Sequence, residues 1–190
     1  MSEKLIAQTE KNEKGYFDLS SESFRKNGSS RRHNLISTNT LVGIGSRVRG
    51  GRCEIYSKDM CVRVGRNFFS YPDVVIVSGE PKFLNDASEV LLNPTIVIEI
   101  VSKETALYDR TAKLESYLAT ESVKEVLLIN ETEMRVEHYF KQNQKQWIYR
   151  IYDSGDDVVS LDSINCKVSL SEIYSQVRLE SSSIDSQAVN

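Results

Sequence analysis

Two acidic residues stand in strongly apolar surroundings, and their chemistry requires an explanation. Asp73 begins the run DVVIV, and Glu99 lies in the middle of TIVIEIV. A carboxylate between Val and Ile side chains loses its hydration, so it must be protonated, paired or bound to a metal. If the two runs are paired strands, the carboxylates lie close together and a divalent cation would relieve their repulsion. The oxygen ligands, with no His or Cys nearby in sequence, favour Mg²⁺ or Mn²⁺.

Such a site suits the hydrolysis of a phosphodiester bond. The metal would stabilise charge on the phosphoryl oxygens and lower the pKa of an attacking water. A lysine would complete the set by positioning that water or neutralising the developing anion. By contrast, the sequence contains no G-x-S-x-G motif, phosphate-binding loop or dinucleotide fingerprint. Acyl transfer, nucleotide binding and an organic cofactor therefore have no support.

Each acid also has a simpler explanation, which the residues alone leave open. Asp73 could cap the start of its strand. Glu99 could be protonated or paired with a buried arginine, which is a possible but costly arrangement. His138 lies in a predicted hairpin, and we interpret it as a structural residue.

The strand around Glu99 determines which side chains accompany it. Because TIVIEIV is apolar on both faces, it is expected to be a central strand covered by helices on each side. Alternation along the strand predicts two faces, one with Thr95, Val97, Glu99 and Val101 and the other with Ile96, Ile98, Ile100 and Ser102. Glu99 thus faces a covered side of the sheet.

Periodicity and turn residues predict the remaining elements. We expect helices over residues 31–47 and 105–120, with Leu107, Leu114 and Leu118 inward and Tyr117 at the edge of that face. Strands are predicted at CEIYS, CVRVG, VVIV and EVLLIN, the last parallel to TIVIEIV, and RVEHYFK and WIYRIYD should form a hairpin. Residues 79–94 are predicted to be a loop, and SLSEIYSQV one or two turns of helix.

Length and composition limit the class of protein. The 190 residues suit one domain over residues 31–176, after a polar lead at 1–30 and before a loose tail at 177–190. Three cysteines without C-x-x-C spacing suggest neither a disulfide framework nor a zinc site. With no apolar leader and no run long enough to span a bilayer, a cytoplasmic protein without membrane association is expected.

The net charge of −3 argues against nucleic-acid binding, but the charge is unevenly distributed. Residues 25–66 contain ten Lys or Arg against two acids. A basic sector of this kind is the footprint expected for phosphate contact. The residues predicted to meet a nucleic-acid backbone are Arg31, Arg32, Arg47, Arg49 and Arg52. The alternative is a solvated surface balanced by the acidic remainder of the chain.

Pro72-Asp73 followed by Glu99-Ile100-Val101 resembles the PD-(D/E)XK nuclease motif. The longer string NPTIVIEIVSKETALYDRTAKLESYL, followed by VKEVLLIN, resembles the Uma-type putative restriction endonuclease family within that superfamily. The resemblance covers roughly residues 31–141. It implies an α/β fold of restriction-endonuclease type, with a mixed sheet flanked by helices, to which the C-terminal antiparallel hairpin is added.

The resemblance also implies roles for individual residues. Asp73 and Glu99 would be metal ligands, with the backbone carbonyl of Ile100 as a third. His33 would lie near the site, because many relatives carry a histidine on the first helix. Ser102 either holds the end of the Glu99 strand by a hydrogen bond or has no role.

The lysine of the motif is displaced in this chain. Val101 stands where Glu-x-Lys would place it, and the resemblance implies that Lys113 reaches the site from the helix instead. Lys103 is the rival, because an extended chain would keep it on the face of Glu99. An ordinary i,i+4 pair between Asp109 and Lys113 on a solvated face explains those two residues equally well.

Together with these residues, the resemblance implies Mg²⁺-dependent hydrolysis of DNA, with Asp73, Glu99 and Lys113 as the catalytic set. The resemblance further implies a homodimer. The competing hypotheses are a module of the same fold that binds nucleic acid or regulates without turnover, suggested by the missing motif lysine, and a structural partner protein with ion-paired acids.

Overall fold

The computed structural model describes residues 29–65, 68–84, 89–102 and 109–179. The predictions for most of the polar lead and for residues 180–190, for Lys103 and Leu107, and for the side chain of Asp109 lie outside this part. The elements below belong to one compact unit, Arg31–Asn190.

The described chain alternates short strands with few helices. It begins with helix α1 (Arg31–Val48) and strands β1 (Cys53–Ser57), β2 (Cys61–Val64), β3 (Phe68–Ser70), β4 (Val74–Ser78), β5 (Val90–Leu91) and β6 (Ile96–Val101). A π-helical turn (Asp109–Lys113) leads into α2 (Leu114–Leu118), followed by β7 (Glu125–Asn130), β8 (Val136–Asn143) and β9 (Gln146–Tyr152). The described part ends with β10 (Val158–Leu161), a 3₁₀ turn (Asp162–Ile164), β11 (Cys166–Ser169) and α3 (Leu170–Ile173).

Six strands form a mixed sheet in the order β1-β4-β6-β7-β8-β9. Strand β6 pairs antiparallel with β4 and parallel with β7, and every residue of β6 is buried. The predicted central strand, its pairing with VVIV, its parallel partner EVLLIN and the C-terminal hairpin are therefore confirmed. The fold is the mixed α/β sheet that the resemblance implies.

The sheet is covered on both faces. On one face α1, α3 and the β10-β11 pair enclose a core that includes Ile36, Ile98 and Leu170. On the other face α2 and a small sheet of order β3-β2-β5 enclose a second core that includes Val97 and Tyr117. Glu99 alternates with Val97 and Val101, so its side chain faces the second core.

Two features differ from the prediction. The strands CEIYS and CVRV form as expected, but β1 joins the main sheet whereas β2 joins the small one. The helix expected over residues 105–120 is, in its described part, interrupted by Thr111, whose φ of −119° and ψ of −107° are not helical. Its inward face is nevertheless formed by buried Leu114 and Tyr117, with Leu118 partly buried, as predicted.

Gly43 has a packing role in α1. A Cβ atom there would lie 3.2 Å from Cγ2 of Val168 in β11, so the glycine allows the helix to approach that strand closely.

Within residues 29–179, apart from the gaps stated above, no helix has the length and apolar content required to cross a membrane.

Candidate active site

Strands β4 and β6 bring Asp73 and Glu99 together. The ladder between these strands pairs Val74 with Ile98. Asp73 precedes Val74 and Glu99 follows Ile98, so the two acids continue the same antiparallel register. They are 5% and 3% exposed, and the charge of Asp73 acts on the ionisation of Glu99. The two carboxylates thus share one desolvated site.

Asp73 is surrounded by hydrogen-bond donors. Its Oδ1 lies 2.9 Å from Nε2 of His33 and 3.9 Å from Nζ of Lys58, and its Oδ2 accepts a 2.8 Å hydrogen bond from the amide of Ile100. Burial alone would raise the pKa of Asp73. The hydrogen bond and charge of His33, the Ile100 amide and the charge of Lys58 outweigh burial and hold the pKa below its usual value.

Glu99 is contacted from the helical side of the site. Both Nζ of Lys113, at 2.9 Å, and the hydroxyl of Tyr117, at 2.5 Å, bind its Oε1. Burial, helped by the charge of Asp73, raises the pKa of Glu99 to about 7, although Lys113 and Tyr117 oppose this shift. Glu99 therefore changes its charge near neutral pH in the absence of a metal.

The first turn of α1 places His33 beside the acids. Its Nε2 contacts Asp73, and its Nδ1 lies 3.9 Å from Oε2 of Glu131. Glu131 is held there because its amide donates a 3.1 Å hydrogen bond to the carbonyl of Val101, at the end of β6. His33 lies between two carboxylates, so the residue expected near the site does lie there; its role remains a prediction.

Lys113 is 15% exposed in its side chain and points to Glu99, not to solvent. The π-helical turn ends at this residue, and α2 begins at the next. The alternative interpretation placed Lys113 on a solvated face, whereas its ammonium lies 2.9 Å from Oε1 of the buried Glu99. Ser102 follows β6 directly and is partly buried.

The predicted basic sector is divided by the length of α1. Arg31 and Arg32 stand in the first turn beside His33, whereas Arg47 is about 24 Å further along the helix axis at about 1.5 Å per residue. Arg47 also pairs with Glu172 at 2.6 Å. Arg49 and Arg52 follow on exposed positions beyond that end of the helix.

Sequence reasoning missed four residues that contact the site: Ser70, Lys58, Tyr117 and Glu131. Tyr117 had a visible signal, because it lies four residues after Lys113 and residues at that spacing share a helix face. The predicted inward sector counted its ring as core and ignored its hydroxyl. Lys58 lies in the turn between β1 and β2, where nothing in the local pattern indicates proximity to Asp73.

The donor set fits a small, hard divalent ion. Among the residues that the structure describes, no group of three or more His, Cys, Asp or Glu side chains forms a metal-binding cluster. Two carboxylates and a backbone carbonyl are nevertheless enough for Mg²⁺, which binds through one or two carboxylates and keeps several waters. Asp73, Glu99 and Ile100 are the residues that could hold it.

Comparisons with known proteins support one family. The profile of Uma2, described as "Putative restriction endonuclease", matches residues 3–171. Protein sll1609 of Synechocystis is 30% identical over 122 residues, which cover 64% of this chain and 69% of that protein. Protein slr1290 of the same organism is 27% identical over 168 residues, covering 88% and 85% of the two chains. Both relatives are uncharacterised.

A solved structure agrees in fold. The crystal structure of a putative nuclease belonging to DUF820 from Anabaena variabilis superposes with a TM-score of 0.64 at 18% identity, covering 79% of this chain and 84% of that one. The match to the family model, over residues 3–171, extends beyond residues 31–141, which carry the motifs of the resemblance. The chain therefore belongs to the Uma2 family of putative restriction endonucleases.

Proposed function

We propose that this protein is a metal-dependent endonuclease that hydrolyses DNA phosphodiester bonds. One observation carries the proposal: two buried acids on adjacent strands share a desolvated site, and a lysine from the neighbouring helix contacts one of them at 2.9 Å. Membership of a family described as putative restriction endonucleases supports the reaction class.

Asp73, Glu99 and the Ile100 carbonyl would hold one Mg²⁺ or Mn²⁺. The amide of Ile100 donates a hydrogen bond to Asp73, which directly precedes β4. In a strand of an antiparallel pair, the N–H and C=O of one residue point toward the same neighbouring strand. The Ile100 carbonyl is thus directed to the side on which Asp73 lies. When bound, the ion supplies charge stabilisation for the phosphoryl oxygens and a water of lowered pKa.

Lys113 would replace the motif lysine that the strand lacks. Val101, at the motif position, is buried in the second core and cannot present a polar group to a substrate. The ammonium of Lys113 reaches Glu99 instead. From there it can donate a hydrogen bond to the attacking water or to a phosphoryl oxygen, which is the role of a cation in this chemistry.

DNA would approach from the side of Lys58 and the first turn of α1. Lys58 is 56% exposed in its side chain and lies 3.9 Å from Asp73, and Arg31 and Arg32 directly precede His33. Cations around the acids would attract and position the phosphate backbone. The distant Arg47, Arg49 and Arg52 would contact phosphates about one helix length away from the scissile bond.

Plasmid cleavage tests this proposal. Purified protein is incubated with plasmid DNA and Mg²⁺ or Mn²⁺, and the parent is compared with Glu99→Ala and Lys113→Ala. We expect cutting by the parent and its loss, by about 100-fold or more, in both variants. Glu137→Gln is the matched control, because Glu137 is also a buried, ion-paired acid of the main sheet but contacts Arg135. DNA binding without cutting by the parent would favour the non-catalytic module, and neither activity would favour the structural partner.

A further inference from the structure

A chain of hydrogen bonds lies beneath Glu99 and is not part of the predicted catalytic set. The oxygens of Ser70 and Tyr117 are 2.7 Å apart, and the Tyr117 hydroxyl donates to Oε1 of Glu99 at 2.5 Å. A tyrosine hydroxyl has one proton. When Glu99 is ionised, as a metal ligand would be, Tyr117 gives this proton to Glu99 and Ser70 donates to the Tyr117 oxygen. The chain therefore runs from Ser70 through Tyr117 to Glu99.

The chain uses one oxygen of the carboxylate. Lys113 also binds Oε1 of Glu99, so the contacts that the described residues make with this side chain fall on the same atom. Two donors satisfy the two lone pairs of Oε1. A cation would therefore bind Glu99 through Oε2. Because Oε1 is held in place by the protein, the direction in which Oε2 points is also fixed.

Tyr117 is well placed to give that direction. It is fully buried in the second core, and its ring is packed among apolar side chains such as Leu114 and Val97. Ser70, at the end of β3, is also buried. The hydroxyl thus stands at a fixed point between the small sheet and the main sheet, and a rigid donor outside the ligand set is how proteins orient metal-binding carboxylates.

We infer that Tyr117 is a positioning residue that, supported by Ser70, holds Oε1 of Glu99 so that Oε2 is presented to the metal ion shared with Asp73. This inference rests on the proposed function, because it assigns to Tyr117 the orientation of a metal ligand. Tyr117 touches neither substrate nor metal in this arrangement and acts through Glu99.

Mn²⁺ titration of the DNA-free protein separates positioning from packing. Tyr117→Phe removes the hydroxyl and keeps the ring, so the core is preserved. We expect the Kd for Mn²⁺ to rise about 10-fold, the lower end of the effect typical of residues that orient metal ligands. Ser70→Ala should raise it in the same direction by a smaller factor, because Tyr117 keeps its own hydrogen bond to Glu99.

Tyr174→Phe is the matched control. Tyr174 is also buried, and its hydroxyl shares its single proton between the carbonyl oxygens of Asn130 and Arg135, which lie 2.8 and 2.9 Å away. Its loss should lower the thermal unfolding midpoint without changing the Kd for Mn²⁺. If Tyr174→Phe weakened Mn²⁺ binding as much as Tyr117→Phe, the effect would be general loosening and the inference would be overturned.

Glu99→Ala distinguishes the failure of this inference from that of the proposed function. If Glu99→Ala loses Mn²⁺ binding while Tyr117→Phe binds like the parent, Tyr117 does not position Glu99 but the metal site stands. If the parent binds no Mn²⁺, or Glu99→Ala binds it equally well, both the metal site and the positioning role are contradicted.

Discussion

The ammonium of Lys113 lies 2.9 Å from Oε1 of Glu99, so the helix supplies to the strand acid the cation that the strand itself lacks at Val101. This pair is mostly buried, and it joins β6 to the residue directly before α2. Among the residues that the structure describes, Lys113 is the lysine whose ammonium contacts Glu99.

Replacement of Lys113 by Met should abolish most cleavage and preserve the fold. Methionine keeps an apolar chain of similar length but has no charge, so we expect cleavage of plasmid DNA to fall about 100-fold or more. The midpoint of thermal unfolding should change little, because Glu99 can bind a proton when its cation is removed. Lys145→Met, in the exposed turn of the β8-β9 hairpin, is the control and should cut like the parent. Equal activity of the two variants would contradict a catalytic Lys113.

Replacement of His33 by Ala should weaken metal binding. The variant loses the 2.9 Å contact with Oδ1 of Asp73, so the carboxylate is no longer held in place and its pKa rises. We expect the Kd for Mn²⁺, measured by calorimetry, to increase about 10-fold. Asn34→Ala, at the exposed neighbouring position, should leave this Kd unchanged. An unchanged Kd in His33→Ala would leave His33 with a packing role alone.

The stability of the metal-free protein should fall as the pH rises toward 8. The folded protein raises the pKa of Glu99 from 4.5 to about 7. The raised pKa favours the folded state most at a pH below the unfolded-state pKa of 4.5. This contribution to the free energy of unfolding is lost as the pH rises from there through about 7. Over that window the ionisation of Glu99 costs about 3 kcal/mol of folding free energy, from the rise in its pKa from 4.5 to about 7 at about 1.36 kcal/mol per pKa unit.

Glu99→Gln should remove this dependence, because glutamine does not titrate. In EDTA, the free energy of unfolding of the variant relative to the parent should be higher at pH 8 than at pH 5. Urea denaturation at the two pH values measures the difference. A pH-independent difference between variant and parent would show that Glu99 does not titrate in this range.

Two glycines of α1 provide a test of helix packing. A Cβ at Gly45 would lie 3.7 Å from Cδ1 of Ile55, which is an ordinary contact, whereas a Cβ at Gly43 would lie 3.2 Å from Val168. Gly45→Ala should therefore stabilise the protein by about 0.5–1 kcal/mol through helix propensity. Gly43→Ala should gain less, because Val168 must shift. Urea denaturation that gave the larger gain to Gly43→Ala would contradict the close approach of α1 to β11.

The part of the fold around the acids could be predicted because its strands are long and continuous. The strands formed by TIVIEIV and EVLLIN, Ile96–Val101 and Glu125–Asn130, have six residues each and are buried except at Asn130. VVIV is bounded by Pro72 and Gly79, so the apolar composition and the turn residues predict the same elements. The face of Glu99 followed from alternation alone. Lys113 was found through the family resemblance and not through periodicity.

The small sheet and the β10-β11 pair were missed for a physical reason. Strands β3 and β5 contain three and two residues, too few to show alternation. Between β10 and β11, Asn165 takes a left-handed conformation with φ of 49°, and asparagine tolerates this better than most residues. That turn residue was the available signal. The Ser70 to Tyr117 hydrogen bond connects two elements distant in sequence, so no local pattern could predict it.

The central claim is that Asp73 and Glu99 jointly hold one divalent ion. Calorimetric titration with Mn²⁺ of the parent, Asp73→Asn, Glu99→Gln and the double variant tests this claim most directly. We predict one site in the parent, a large loss of affinity in each single variant, and little further loss when the second acid is also replaced. Parent-like Mn²⁺ binding in either single variant would contradict it.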